Sequence, residues 1–417
     1  MNKKIPVVLL VVLLAVVGWL FYGVAGKIDT EPIKVGILHS LTGTMSISEK
    51  SVVDATLLAI EEINAKGGIL GRKIEAIVSD GKSDWPTFAK EAERLIAQER
   101  VSVVFGCWTS ASRKTVKPIF EKYNHLLFYP LQYEGLEQSP NIVYTGAAPN
   151  QQIIPAVKWA FDNLGKRFFL VASDYVFPHS ANEIIKAQVV ALGGQIVGEE
   201  YLILGSQYAT RVVNKIVSAQ PHVILNTING HTNVAFFAEL RKAGVTPDKI
   251  PTLSFSIAEN ELRGMNPKAM AGDYAAWNYF QSLDTPENRE FVRRFQGKFG
   301  ADRVTNDPME AAYIAVHLWG QAVQDAREVA TNAVRKAILD QSFNAPEGIV
   351  HLDPETQHLW KTVRIGKIRP DGQFDIVWTS ESPIRPTPYP PYRSKAEWEK
   401  FLQDLYQGWG QSWANPG

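Results

Sequence analysis

Residues 105–135, FGCWTSASRKTVKPIFEKYNHLLFYPLQYEG, concentrate the side chains best suited to holding a small polar molecule. Thr109, Ser110 and Ser112 place hydroxyls at the start of a helix-like segment. Backbone N–H groups have no intrahelical partner there, so an oxygen atom can be held. Trp108, Tyr129 and Tyr133 offer flat aromatic faces, and Gln132 offers an amide that both donates and accepts. No nucleophile–base pair stands in this stretch, and its Cys107 reads as a packed thiol rather than a nucleophile. These residues point to holding a ligand rather than reacting with one.

Motifs for other chemistry are missing. No GxGxxG or GxxxxGK[ST] phosphate loop occurs, and Gly67–Lys73 imitates only the glycine content of one. Nothing around Ser110 forms a GxSxG elbow or a Ser-x-x-Lys pair. The eight histidines form no HExxH, and a single cysteine leaves no thiol pair for zinc. Asp80, Asp84 and Glu91 fall at three places of a calcium loop, but Lys82 and Trp85 occupy places that need a ligand and a glycine. We therefore expect no catalytic residue, no metal and no cofactor.

The elements that must position these residues alternate along the chain. Ile33–Leu38 reads as a strand and Ser51–Ala65 as a helix ended by glycines. Ile74–Val78 and Val101–Phe105 read as strands around a helix over 85–100 that has Pro86 in its first turn. The strand Leu126–Tyr129 follows a helix over 113–124. A second series of the same kind runs from about Asn150 to Phe255. This predicts an α/β fold of two doubly wound parallel-sheet lobes. In such a sheet, loops at the carboxyl ends of adjacent strands hold small ligands. Ala275–Ser282 reads as a strand returning to the first lobe. The stretch 382–392, SPIRPTPYPPY, predicts an extended tail, with a terminal helix over 394–406.

The 417 residues suffice for two or three domains. Lysine plus arginine and aspartate plus glutamate both number 43, which gives no basic excess for nucleic acid or anionic lipid. The amino terminus departs from a soluble pattern. Lys3 and Lys4 precede an apolar run from Ile5 to Tyr22, and small residues follow to Gly26. This is the form of an export signal, either cleaved near Ala25 or kept as an anchor. Both readings place the chain from about Lys27 onward outside the cytoplasm.

Several longer stretches carry a resemblance. They are GILHSLTGTMSISE (36–49), GCWTSASRK (106–114), FYPLQYEG (128–135), YTGAAPNQQ (144–152), SDYVFP (173–178), SFSIAE (254–259), AAWNYFQSLDTPEN (275–288), NDPMEAAY (306–313) and FNAPEGIV (343–350). With these stretches the chain resembles the type I periplasmic solute-binding proteins of ABC transporters, closest to the subgroup that binds urea and short-chain amides. The resemblance implies two α/β lobes joined by a multi-stranded hinge, with ligand enclosed between them. It implies a signal at 1–26, a first lobe from 33–148 plus 283–345, a second from 149–282 plus 346–380, and a tail at 381–417. It places Trp108, Ser110, Tyr129, Gln132 and Tyr133 in the first-lobe pocket and Tyr175 and Phe177 on the facing loop. It also implies a membrane permease with a cytoplasmic ATPase as partner, and a monomer. The chain departs from its relatives at Trp108, at Leu131, at His231 and in lacking an amino-terminal lipid-bearing cysteine.

The physical demands of urea agree with that site. Urea has one acceptor oxygen, four N–H donors and no net charge. Ser110 and nearby N–H groups could donate to the oxygen, while Gln132, a tyrosine oxygen, Glu259 or backbone carbonyls could accept from the nitrogens. Plainer readings make Ser110 a helix cap, Trp108 a core residue and Glu259 a solvated charge. The alternative ligands are a short aliphatic amide or a branched-chain amino acid. The alternative role is a sensor lobe that reports to a membrane partner.

Overall fold

The computed structural model describes residues 31–416, so the signal or anchor expected at residues 1–26 lies outside the described residues. Among the described residues, no helix is long and apolar enough to cross a membrane.

The chain starts lobe 1 with β1 (Ile33–His39), α1 (Ser46–Ala65), β2 (Ile74–Asp80) and α2 (Trp85–Ala97). It continues with β3 (Val104–Gly106), α3 (Ser110–Lys122), β4 (Leu127–Tyr129) and β5 (Ile142–Tyr144). The five strands are parallel, in the order β2-β1-β3-β4-β5. β3, β4 and β5 are buried throughout, which explains their unbroken apolar runs. The strand order reverses beside β1, and the loops that leave β1 and β3 open at that switch point. The chain passes Gly106 close under β1: a Cβ there would come within 2.3 Å of the Leu38 carbonyl oxygen. Cys107 follows at φ 65°, a left-handed conformation costly for a residue with a side chain. This sharp corner sends the chain into α3.

Lobe 2 begins with α4 (Ile153–Asn163), β6 (Arg167–Ser173), α5 (Val176–Ala191) and β7 (Gln195–Leu202). Then come α6 (Thr210–Ala219), β8 (Val223–Thr227), α7 (Thr232–Lys242), β9 (Thr252–Ser254), α8 (Glu259–Arg263), α9 (Pro267–Met270) and β10 (Tyr274–Trp277). The chain returns to lobe 1 for α10 (Pro286–Phe299), α11 (Asp307–Ala326), α12 (Thr331–Ala337) and the antiparallel sheet β11 (Ser342–Ala345), β12 (Gly348–Leu352) and β13 (Leu359–Trp360). It then crosses again, and β14 (Arg364–Ile368) and β15 (Phe374–Thr379) complete a seven-stranded sheet, β15-β14-β10-β9-β8-β6-β7. α13 (Lys395–Gly408) closes the chain, started by a reciprocal cap between Ser394 and Glu397.

One boundary moves. Residues 346–360, expected in lobe 2, belong to lobe 1: Val350, Leu352 and Leu359 lie in the core that β1, β3 and α11 build. The crossing to lobe 2 comes just after them. Where the chain passes between lobes, side chains tie the crossing segments together. Gln151 Nε2 donates to the carbonyls of Leu359 and Ile384, both at 2.7 Å. Asn278 Nδ2 donates to Gln151 O at 3.1 Å and Thr362 O at 3.0 Å. Lys361 pairs with Glu347 at 2.6 Å, fully buried. These links make the multi-stranded hinge.

Candidate ligand site between the lobes

The first wall is the β3–α3 corner. Thr109, not Ser110, caps α3: its hydroxyl accepts from Ser112 N at 3.1 Å. Ser110 is the first helical residue. Its amide and that of Ala111 donate to no acceptor among the described residues, as the geometry of a helix start dictates. Trp108 is buried, and its indole Nε1 donates across the cleft to Asn229 Oδ1 at 3.3 Å. It packs in the lobe 1 core, as the plainer reading has it, and also ties that lobe to the second.

Behind this wall lies an ionic network that pattern reading passed over. The Ser110 hydroxyl donates to Glu134 Oε2 and accepts from Arg113 at 3.0 Å. Arg113, fully buried, also pairs with Glu134 at 3.1 Å and Glu137 at 2.8 Å. Lys114 pairs with Glu137 at 3.0 Å. Burial pushes the Glu137 carboxyl up, but the Arg113 and Lys114 charges together pull it well below the usual carboxylate range. Burial works against the Arg113 charge, yet Glu137 and Glu134 hold its pKa well above the ordinary arginine value.

This network reassigns two tyrosines. Tyr129 and Tyr133 flank a flat group, but it is the guanidinium of Arg113, 4.7 Å from one ring centroid and 4.5 Å from the other. The Tyr129 hydroxyl donates to Trp108 O at 2.6 Å. Tyr133 stacks on Tyr144 at 5.1 Å, and its hydroxyl meets His358 Nε2 at 2.5 Å and Glu137 O at 3.1 Å. Contrary to expectation, the protein thus occupies both the ring and the hydroxyl of Tyr133. Its work is to support Arg113.

Gln132 spans the two lobes. Its Nε2 donates across to Phe255 O at 2.9 Å, while its Oε1 is buried with no partner. A buried unpaired carbonyl oxygen is costly unless something donates to it. Tyr175, immediately before α5, is the facing residue. Burial raises its hydroxyl pKa well above the ordinary tyrosine value, with Tyr129, Glu134 and Glu49 adding to the rise and Arg113 opposing it. Tyr175 packs in the same buried cluster as Ala111 of α3 and Leu136, which sets it against the first-lobe wall. Phe177 packs 6.3 Å from Tyr175, ring to ring. Glu49, in the first turn of α1, accepts from Ser40 N at 2.8 Å and contacts His39 Nδ1 at 2.9 Å. α1 begins at Ser46, five residues before the Ser51 start expected from the sequence.

Glu259 is not brought to this group. Its Oε1 accepts from Gln281 N at 2.7 Å, and its Oε2 is buried without a partner. Burial pushes its carboxyl up to about 8, with Glu261 and Asp307 contributing. It belongs to the hinge side of α8, not to a solvated loop. Its folded pKa lies above the unfolded value of about 4.3, so its stabilisation is present below that value and is lost as pH rises through about 8. Glu261, raised by burial to about 7, acts in the same direction. Glu259→Gln is therefore expected to lose less stability than the parent between about pH 5 and pH 8, read from guanidinium midpoints. An equal loss in both proteins would contradict this assignment.

Other contacts hold the lobes together as a closed cleft. The His231 amide and Nδ1 both donate to Thr44 O, at 3.2 and 2.8 Å. Asn260 Nδ2 donates to Ile47 O at 2.6 Å. Gly230 sits at φ 65°, and a Cβ there would meet Thr44 O at 2.8 Å, so only glycine permits this approach. His231 is thus an interlobe strut. Cys107 is buried, and burial with the Glu49 charge pushes its thiol up, away from nucleophilic use. Among the described residues, no cluster of metal-ligating side chains forms.

The chain matches the periplasmic binding protein domain over residues 33–395. It belongs to that family. Leu/Ile/Val-binding protein homolog 6 of Brucella melitensis is 22% identical over 346 residues, taking in 81% of this chain and 88% of that protein. A limonene hydroxylase of Geobacillus stearothermophilus is 37% identical over 124 residues, which span 30% of this chain but only 23% of that protein. The structure of an ABC transporter solute-binding protein from R. palustris, in complex with 4-hydroxybenzoate, has a TM-score of 0.77 at 21% identity, covering 84% of this chain and 98% of its own. That likeness shows the fold: two α/β lobes of the type I periplasmic binding architecture. The chain is thus a periplasmic binding protein built of two α/β lobes.

Proposed function

We propose that this periplasmic binding protein is an exported receptor for urea that hands it to an ABC-type permease driven by a cytoplasmic ATPase. The observation that carries the reading is the Ser110–Glu134 hydrogen bond. A serine hydroxyl has one proton, and here a carboxylate takes it. Arg113 takes one lone pair of that hydroxyl, so the wall is left with the other as an acceptor, joined by the unpaired Gln132 Oε1. The free amides of Ser110 and Ala111 remain as donors. Urea answers both demands, with four N–H groups and one oxygen, and it adds no charge to a buried site. An amino-acid or benzoate carboxylate would meet the Glu134 and Glu49 carboxylates without a hydroxyl donor. A short amide is the second reading, because it keeps the oxygen and one NH₂. A branched-chain amino acid is the third reading, supported by the name of the Brucella relative and by solved neighbours that are a leucine binding protein of Thermotoga maritima and a branched-chain amino acid binding protein of Streptococcus pneumoniae in complex with isoleucine. The tyrosine hydroxyls and the Cys107 thiol, all raised by burial, stay protonated at neutral pH and favour binding without chemistry.

Trp108 makes binding visible. Urea is expected to change the intrinsic fluorescence saturably, with a midpoint of tens of micromolar, since four heavy atoms at about −1.5 kcal/mol each give roughly −6 kcal/mol. Trp108→Phe should remove most of the signal. The absence of a saturable change, or the release of ammonia from urea, contradicts the reading.

A further inference from the structure

Tyr175 reaches the site from a turn whose helix is poorly started. The first amide of α5, that of Val176, needs an outside acceptor, and the residue before it supplies no side-chain cap. The acceptor comes from the far end of the chain: Val176 N donates to Trp413 O at 2.9 Å. Tyr175 and Ala414 form an antiparallel bridge. Asn415 completes it, its amide donating to Asp174 O at 3.2 Å and its Nδ2 to Asp174 Oδ2 at 2.8 Å. Three consecutive residues at the end of the chain thus clamp the three residues around Tyr175.

The same segment also touches the opposite wall. Lys114 Nζ lies 5.1 Å from the centroid of the Trp413 ring, and Lys114 is the lysine that pairs with Glu137 behind Ser110. Earlier in the tail, Leu136 N of lobe 1 donates to Pro388 O at 2.8 Å, whereas Trp398 and Leu402 of α13 pack into the lobe 2 core with α4 and α5. The tail therefore runs as a strap from one lobe to the other. Opening the cleft would have to separate Trp413 from Lys114, or Trp413–Asn415 from Tyr175.

We propose that residues 413–415 are positioning residues of the ligand site: they fix Tyr175 against the first-lobe wall and latch the closed cleft through Trp413. The ligand half of this inference rests on the urea-receptor reading; the positioning half does not. The experiment compares the full chain with a chain ending at Gln411, and with Trp413→Ala and Trp413→Phe in the full chain. Hydrogen exchange over 174–178 is expected to be at least tenfold faster in the shortened chain, with the interior of α5 unchanged. Urea should dissociate at least tenfold faster from the shortened chain and from Trp413→Ala, with Trp413→Phe restoring the parent rate. Unchanged exchange at Val176 in the shortened chain overturns the clamp. If shortening prevents folding, an unchanged urea dissociation rate in Trp413→Ala overturns the latch. If the parent binds no urea, the receptor reading fails, and exchange at Val176 alone still decides whether the strap positions Tyr175.

Discussion

Arg113→Ala is expected to destabilise lobe 1 more than any other single change in the site. The guanidinium is fully buried between two tyrosine rings and joins three partners, Ser110, Glu134 and Glu137. Removing it leaves two carboxylates in the interior with Lys114 as the cation still paired to them. Breaking a buried ion pair from one side costs about 3–5 kcal/mol, because the stranded charge keeps its desolvation penalty. The cost has a pH signature. The network holds Glu137 below the usual carboxylate range, so its stabilisation is present above the unfolded value of about 4.3 and is lost as pH falls. Without Arg113 that acid-side loss should shrink, because much of the neutral-pH stabilisation is already gone. Guanidinium midpoints at pH 7 and pH 4 measure both effects. Lys400→Ala, which breaks the exposed Lys400–Asp404 pair, is the control and should leave the midpoint where it was. An Arg113→Ala midpoint equal to that of the control would contradict the network's role.

Glu134→Gln is expected to change what the site accepts. A glutamine amide at that place can donate to Ser110 Oγ, which frees the serine proton to turn toward the cleft. The wall then presents a donor where the parent presents acceptors, and it loses a negative charge. Urea should bind about tenfold to a hundredfold more weakly, the equivalent of one buried mismatch of roughly 1–3 kcal/mol. A ligand bearing a carboxylate should gain. The variant keeps the Arg113–Glu137 pair, so its fold should survive. Competition of urea with leucine, followed by fluorescence in parent and variant, reads the reversal. Equal urea affinity in both would mean that the Ser110 proton plays no part in recognition.

Much of this was legible in the chain. The apolar runs of β3 and β4 and the glycine stops announced parallel strands buried on both faces. The hydroxyls of residues 109–112 announced a helix start at a strand end. What escaped has physical reasons. Arg113 meets its acids 21 and 24 residues away, a separation that only the β3–α3–β4 unit brings together. Tyr133 looked like a ligand wall because an aromatic beside a site reads the same whether it packs a solute or a guanidinium. Glu259 could be read as a ligand acceptor or as a solvated charge, and its burial beside the hinge is a property of neighbours distant in sequence. The assignment of 346–360 to the second lobe came from the resemblance alone, and which lobe covers these residues is decided by contacts far away in sequence. The proline-rich tail suggested an extended surface segment; its end is instead the partner of Tyr175.

The central claim is that the closed cleft holds a small neutral donor-rich molecule. Calorimetric titration of the purified protein with urea, acetamide, formamide, leucine and 4-hydroxybenzoate tests it most directly. Acetamide puts a methyl group where urea has an NH₂ and would leave one buried acceptor unpaired, at about 1–3 kcal/mol. The account predicts urea binding in the tens of micromolar, acetamide about tenfold to a hundredfold weaker, and no heat from leucine or 4-hydroxybenzoate at those concentrations. Leucine or the benzoate binding more tightly than urea would contradict it.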